Sequence, residues 1–298
     1  MMQIKKISSL FVFLLVLLLS NSCKKSEYDS EEFTIKVDGE KRKYLLHESS
    51  MPKDLYPLVI ALHGGTGSPL NIEEQSLLSL TADQEGFYVC YPEGKHRTWN
   101  AGGCCGKAVK NDVDDVNFIS ELIDHLITNY PIDPERVYVT GMSNGGFMSY
   151  RLACALSDKI AAIAPVAATM NFEPCNPGEA VPIIHFHSYL DSNVPYLGGV
   201  GDGISDHYNP PLLDVLNDWS LYNGCINTTS SKESFSNYDH FSWTSCDSTQ
   251  SIELYLTQDG GHSWPYGTKP RSKADEPSTA INANQLMWDF LQKHRRIQ

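Results

Sequence analysis

Gly141-Met142-Ser143-Asn144-Gly145 decides the reading of this chain. Its serine sits between an apolar run, Arg136-Val137-Tyr138-Val139-Thr140, and a stretch of helical character from Phe147 to Leu156. That arrangement predicts a nucleophile elbow. The strand turns so sharply into the helix that the serine takes a strained backbone, and a glycine two residues away on either side leaves room for the crossing chain. The hydroxyl is then held out at the end of a sheet. The helix N-terminus points at the reaction centre, and the Asn144 amide is placed to donate to a developing oxyanion.

In folds with this elbow the acid and the base follow the serine in that order, on loops at the C-terminal ends of later strands. Val181-Pro182-Ile183-Ile184-His185-Phe186 reads as a buried strand with Asp191 just beyond it, and Asp191 is the expected acid. Ser251 to Leu256 reads as the next strand and leads into Asp259-Gly260-Gly261-His262-Ser263-Trp264-Pro265, which makes His262 the expected base. All three groups are needed. A serine hydroxyl is a poor nucleophile until an imidazole takes its proton, and the carboxylate sets the imidazole tautomer and stabilises the cation. Asp259 competes as the acid, but an aspartate ahead of two glycines is better read as a turn residue.

A second oxyanion donor is expected from the loop after an early strand. Pro57 to Leu62 supplies the strand and His63-Gly64-Gly65-Thr66-Gly67 the loop, with the Gly65 amide as first choice and Thr66 as second. Trp99, Tyr196 and Trp264 are candidate substrate-binding aromatics. Tyr196 and Trp264 lie close in sequence to the predicted acid and base, and such a lining suits a cinnamoyl group or a hydrophobic polyester segment.

These motifs together resemble the polyhydroxybutyrate depolymerase-like and feruloyl esterase-like secreted esterases of the α/β-hydrolase superfamily. The resemblance runs from about Phe33 to the C-terminus. It also rests on Tyr91-Pro92-Glu93-Gly94, Trp99-Asn100-Ala101-Gly102-Gly103-Cys104-Cys105-Gly106, Asp114 to Ile119 and Gly261 to Pro265. It implies an α/β-hydrolase fold, a mostly parallel central sheet with helices on both faces. It also implies ester hydrolysis through an acyl-enzyme with no cofactor, on feruloyl, acetyl or polyester substrates. The chain departs from the family at His187-Ser188-Tyr189-Leu190-Asp191, where members usually carry a His-Gly-Thr-like run.

The coarse element order fits that fold: a leading hairpin turning at Asp38-Gly39, then strands near 57, 87, 136, 160, 181 and 251 with helices between. Val113 to Thr128 has helical spacing, and its Asp112, Asp114 and Asp115 place favourable charge at a helix N-terminus.

The N-terminus carries Lys5 and Lys6, an apolar run from Leu10 to Leu19, then Ser20-Asn21-Ser22-Cys23. Residues 1–22 read as an export signal of lipoprotein type with Cys23 as lipid anchor, 23–32 as a polar tether, and 33–298 as one catalytic domain. An extracytoplasmic location follows, with membrane contact only through the anchor. The formal charge is −13, and residues 1–22 hold two of the lysines and no acid, so the remainder carries −15. Such a surface argues against nucleic acid and anionic membranes as targets and leaves an ester substrate as the partner.

Seven cysteines follow Cys23. Cys90, in an apolar strand, reads as the unpaired core thiol, and the other six allow about fifteen pairings. The resemblance favours Cys154 with Cys175 and Cys225 with Cys246. That leaves adjacent Cys104 and Cys105 either as a vicinal disulfide, as two thiols, or paired otherwise. No metal site is expected, and His185 and His187 read as core or supporting residues. Two other functions compete with the feruloyl or cell-wall esterase: a polyhydroxyalkanoate depolymerase or oligomer hydrolase, and a glycan-binding surface lipoprotein without catalysis.

Overall fold

A computed structural model describes residues 28–203, 206–244, 246 and 251–296. The predicted signal, the predicted lipid anchor Cys23 and the first half of the tether lie outside the described residues. In chain order the elements are β1 (Glu31–Val37), β2 (Glu40–His47), β3 (Tyr56–Leu62), α1 (Pro69–Ser76), α2 (Leu78–Glu85), β4 (Tyr88–Pro92), α3 (Gly106–Lys110), α4 (Asp115–Asn129), β5 (Ile132–Met142) and α5 (Asn144–Ala155). They continue with β6 (Ala162–Val166), β7 (Ile183–Ser188), β8 (Gly199–Val200), β9 (Tyr208–Asn209), α6 (Leu212–Tyr222), β10 (Ser231–Ser234), β11 (Tyr238–Trp243), β12 (Ile252–Thr257) and α7 (Ala283–Leu291).

Ten strands form one sheet in the order β1-β2-β4-β3-β5-β6-β7-β12-β11-β10, and β8 and β9 pair apart from it. The six central strands from β4 to β12 run parallel, and the two at either edge are antiparallel. Alternation along β3 decides what each face holds. Leu58, Ile60 and Leu62 pack with Phe118 of α4, Phe147 of α5 and Trp219 of α6, while Val59 and Ala61 pack with Ile72 of α1, Leu78 of α2 and Trp288 of α7. The fold is therefore an α/β-hydrolase fold with helices on both faces.

Two boundaries differ from the sequence reading. Glu31 and Glu32, assigned to the tether, already pair in β1, and buried Ser30 hydrogen-bonds Glu73, so the domain starts earlier than residue 33. The leading hairpin is as expected, with Asp38 and Gly39 both at positive φ, 50° and 82°, as a two-residue turn between twisted strands requires. At the far edge the sheet continues beyond the strand near 251 through β11 and β10. β10 reads Ser-Lys-Glu-Ser and is exposed throughout, so no apolar alternation marks it.

Candidate active site

The parallel strands bring every predicted catalytic group to one edge of the sheet, because Gly65, Ser143, Asp191 and His262 follow the C-terminal ends of β3, β5, β7 and β12. Register aligns those ends: Met142 pairs with Val166, Val166 with Phe186, and Phe186 with Tyr255. With strands about 4.8 Å apart, the serine and acid loops leave the sheet two strands, or roughly 10 Å, from each other.

Ser143 has φ 55° and ψ −124°, a strained conformation for a residue with a side chain. Its amide donates to the Val166 carbonyl at 2.9 Å, which ties the elbow to β6. Both flanking glycines are sterically required. A Cβ on Gly141 would lie 2.6 Å from the Gly145 backbone, and one on Gly145 would lie 2.2 Å from the Leu62 carbonyl oxygen. α5 then starts at Asn144.

The loop after β3 lies against the nucleophile, since a Cβ on Gly64 would sit 3.5 Å from the Ser143 Cβ. Neither Gly65 nor Asn144 donates its backbone N–H to an acceptor among the described residues, as an oxyanion pair requires. Thr66 does not fit its predicted role: its amide is spent on the Arg97 carbonyl at 2.8 Å, because at φ 64° the chain turns that N–H away.

His63, buried beneath this loop, braces it in a way that sequence reasoning passed over. Its Nδ1 lies 2.8 Å from the Gly64 carbonyl and its Nε2 2.9 Å from the Gly94 amide. The Gly94 amide can only donate and the Gly64 carbonyl can only accept, so the proton is on Nδ1. Burial drives its pKa down to about 4 and keeps the ring neutral, which is the form that can accept from Gly94.

The Asn144 side chain grips the backbone of Trp99 on both sides: Oδ1 accepts from the Trp99 N–H at 2.7 Å and Nδ2 donates to its carbonyl at 3.0 Å. The Trp99 indole N–H donates to the His63 carbonyl at 2.9 Å. Trp99 is thus fully buried, and so is Trp264, whose indole N–H donates to Asn284 at 2.9 Å. Both predicted substrate contacts are corrected: these rings lock loops together and offer no exposed surface. Tyr196 is half-buried, edge-on to Tyr189 at 5.0 Å between centroids.

Asp191 and His262 meet. His262 Nδ1 lies 2.8 Å from Asp191 Oδ2, with the carboxylate fully buried and the imidazole 12% exposed. Asp191 Oδ1 accepts from the backbone N–H groups of Asn193 and Val194 at 3.0 and 2.8 Å. Burial disfavours the charged carboxylate, but the His262 charge and hydrogen bond, His187 and the Val194 N–H outweigh it, holding Asp191 below the ordinary carboxylate range. Ser143 Oγ and His262 Nε2 make no hydrogen bond to described residues. Such contacts often close only with substrate bound.

Asp275 holds the His262 backbone, its Oδ2 accepting from the His262 amide at 2.7 Å, and nothing in the local sequence marks it. Asp259 is a turn residue, its carboxylate bonded to Ser278 and to the Thr279 amide. Asp114 caps α4 as its sequence suggested, but Asp115 turns inward. It pairs with Arg42 at 2.8 Å and accepts from the Asn100 amide at 2.8 Å, anchoring the Trp99 loop.

The disulfides are Cys104–Cys105, Cys154–Cys175 and Cys225–Cys246, with Cys90 free and buried. Among the described residues the one cluster of three metal-capable side chains is Cys104, Cys105 and His207. Two of its sulfurs are bonded to each other, so the set does not fit a metal in this state.

Residues 44–185 match the family model "Esterase PHB depolymerase". That stretch holds Gly65, Ser143 and Asn144 and stops before Asp191 and His262. The chain is 29% identical over 220 residues to feruloyl esterase B of Piromyces equi, covering 69% of this chain and 39% of that protein. It is 27% identical over 253 residues to poly(3-hydroxyalkanoate) depolymerase C of Paucimonas lemoignei, covering 78% of this chain and 60% of that one. The chain thus spans about two fifths of the first relative and three fifths of the second. Among solved structures, an acetyl xylan esterase from Aspergillus awamori superposes with a TM-score of 0.61 at 16% identity, covering 88% of this chain and 99% of that one. Residues 44–185, a little under half of the chain, are thus similar to the esterase PHB depolymerase family, within a chain of α/β-hydrolase fold.

Proposed function

We propose that this protein is an exported serine carboxylesterase that hydrolyses feruloyl or related cell-wall polysaccharide esters through an acyl-enzyme. The observation that carries this reading is the joint geometry of an elbow serine at φ 55° and an acid–base pair at 2.8 Å on the same edge of the sheet. Ser143 Oγ attacks the ester carbonyl while His262 Nε2 takes its proton. Asp191 keeps the Nδ1–H tautomer in place and stabilises the imidazolium. The Gly65 and Asn144 amides receive the oxyanion. His262 returns the proton to the leaving alcohol, and water then repeats the sequence on the acyl-enzyme. The export signal and lipid-anchor Cys23 belong to the same proposal.

The name of the Piromyces relative favours the feruloyl reading. A polyhydroxyalkanoate or its oligomer is the second reading. It is favoured by the Paucimonas relative and by exposed apolar side chains on the acid and base loops, Leu190 and Tyr266, each 60% exposed.

The deciding experiment measures hydrolysis of methyl ferulate, a short p-nitrophenyl ester and a hydroxybutyrate trimer, with Ser143→Ala as control. Ser143-dependent turnover of methyl ferulate supports the cell-wall assignment, and turnover of the trimer alone moves it to polyester. No Ser143-dependent turnover and no organophosphonate labelling of a folded sample would overturn the esterase reading in favour of a glycan-binding protein.

A further inference from the structure

Behind Asp191 runs a line of buried polar side chains that the proposed reaction does not use. Tyr150 Oη lies 2.8 Å from His185 Nδ1, His185 Nε2 lies 3.2 Å from His187 Nδ1, and His187 Nε2 lies 2.8 Å from the Val194 carbonyl. The same His187 Nε2 is 3.4 Å from Asp191 Oδ2. The rings of His185 and His187 stack at 5.4 Å, as residues two apart on one face of β7 can.

We propose that His187 is a positioning residue for the Asp191–His262 pair, holding the Val194 turn through its Nε2–H with that same nitrogen beside the Asp191 carboxylate.

Donor and acceptor accounting gives one direction to the whole line. The Val194 carbonyl can only accept, so His187 Nε2 carries a proton. A neutral His187 then has a lone pair at Nδ1, which accepts from His185 Nε2–H. His185 Nδ1 is left to accept from the Tyr150 hydroxyl. Every link has one donor and one acceptor. Burial supports the neutral forms, holding His185 well below the ordinary imidazole range and His187 below it as well.

The effect on the acid follows from Val194. Its carbonyl is fixed by His187 while its amide donates to Asp191 Oδ1 at 2.8 Å, so one residue transmits the histidine's position to the carboxylate. The groups facing His187 are Asp191 and His262 from the loops and His185 from its own strand, with Tyr150 of α5 behind His185. Those facing His262 are Asp191, His187 and, at its backbone, Asp275.

Losing the His187 N–H concentrates the Asp191 charge on His262 and favours the imidazolium. In His187→Leu the acid limb of kcat/KM and the NMR titration of His262 should both rise by about half a pH unit. kcat/KM should fall about ten-fold through misplacement of the base. His187→Gln, which keeps an N–H at similar reach, should restore most of both, and Tyr150→Phe should leave the His262 titration in place. A folded His187→Leu with an unshifted His262 titration would overturn the proposal. So would equal losses in the Gln and Leu variants. A nitrogen-15 spectrum of the unmodified protein that places the His187 proton on Nδ1 overturns it even if neither variant folds. The kinetic arm rests on the esterase reading, but the titration does not. If Ser143-dependent turnover is absent while the titration still shifts, the esterase reading fails and the positioning role stands.

Discussion

The serine side of the site and its acid side are built differently. On the serine side, the groups proposed to act are backbone amides and a hydroxyl on a strained turn, all held by contacts of the main chain. Gly145 lies against the Leu62 carbonyl, Ser143 N–H bonds Val166, and buried His63 bridges the Gly64 carbonyl and the Gly94 amide. On the acid side, a buried charge is held by two amides of its own turn and by side chains: Asp191 by His262 from another loop, with His187 beside the carboxylate and Asp275 at the His262 backbone. A backbone device depends on its glycines and on the one buried imidazole that braces it, whereas a side-chain device depends on each member.

The comparison breaks first at Asp191. Asp191→Asn should lower kcat by about 10⁴-fold with the fold intact, because an amide opposite Nδ1 favours the wrong tautomer. A loss under ten-fold, measured on a short p-nitrophenyl ester, would mean that the acid side is dispensable. On the serine side, His63→Leu removes no reacting group, yet it frees the loop that carries Gly65. It should cost about 10²-fold in kcat with little change in KM, the pattern of a misaligned oxyanion donor.

His63 also sets a pH dependence of stability. Its folded pKa, about 4, is depressed from 6.5, so the unfolded chain binds an extra proton between those values. The contribution is intact above about pH 6.5 and is lost as pH falls toward 4, for a total of about 3 kcal/mol. Urea unfolding at a series of pH values should show this fall, and His63→Leu should flatten the slope by about one proton. An unchanged slope would place His63 outside the balance. The smallest effect is expected at Asp275, which touches only the His262 backbone from an exposed loop. Asp275→Ala should reduce kcat/KM about two- to five-fold, and a larger loss would give the base a second essential carboxylate.

The elbow, the early loop and the order of acid and base were legible because each is written in a short local pattern: a strand, a turn rich in glycine, a polar residue where the strand ends. Gly65 and Asn144 followed from that pattern, and both amides are unpaired in the fold. Thr66 failed because one positive φ reverses an N–H, which composition does not record. Trp99 and Trp264 failed because proximity in sequence to a reactive residue does not say which way a large ring points. Their indole N–H groups found buried acceptors, His63 and Asn284, that are 36 and 20 residues away. β10 was missed because an exposed edge strand needs no apolar alternation, and β11, Tyr-Asp-His-Phe-Ser-Trp, because its buried positions include the polar Asp239.

By itself the sequence determined the strand–turn–helix unit, the predicted acid–base order and the α/β layering, since periodicity and glycine placement are local properties of the chain. Tertiary structure alone decided that the Thr66 amide is spent elsewhere, that the Trp99 and Trp264 rings turn inward, and how His63, His187 and Asp275 support the site. Those are contacts between segments brought together by the parallel register of β3, β5, β6, β7 and β12, and no local pattern encodes a partner that folding supplies from elsewhere in the chain.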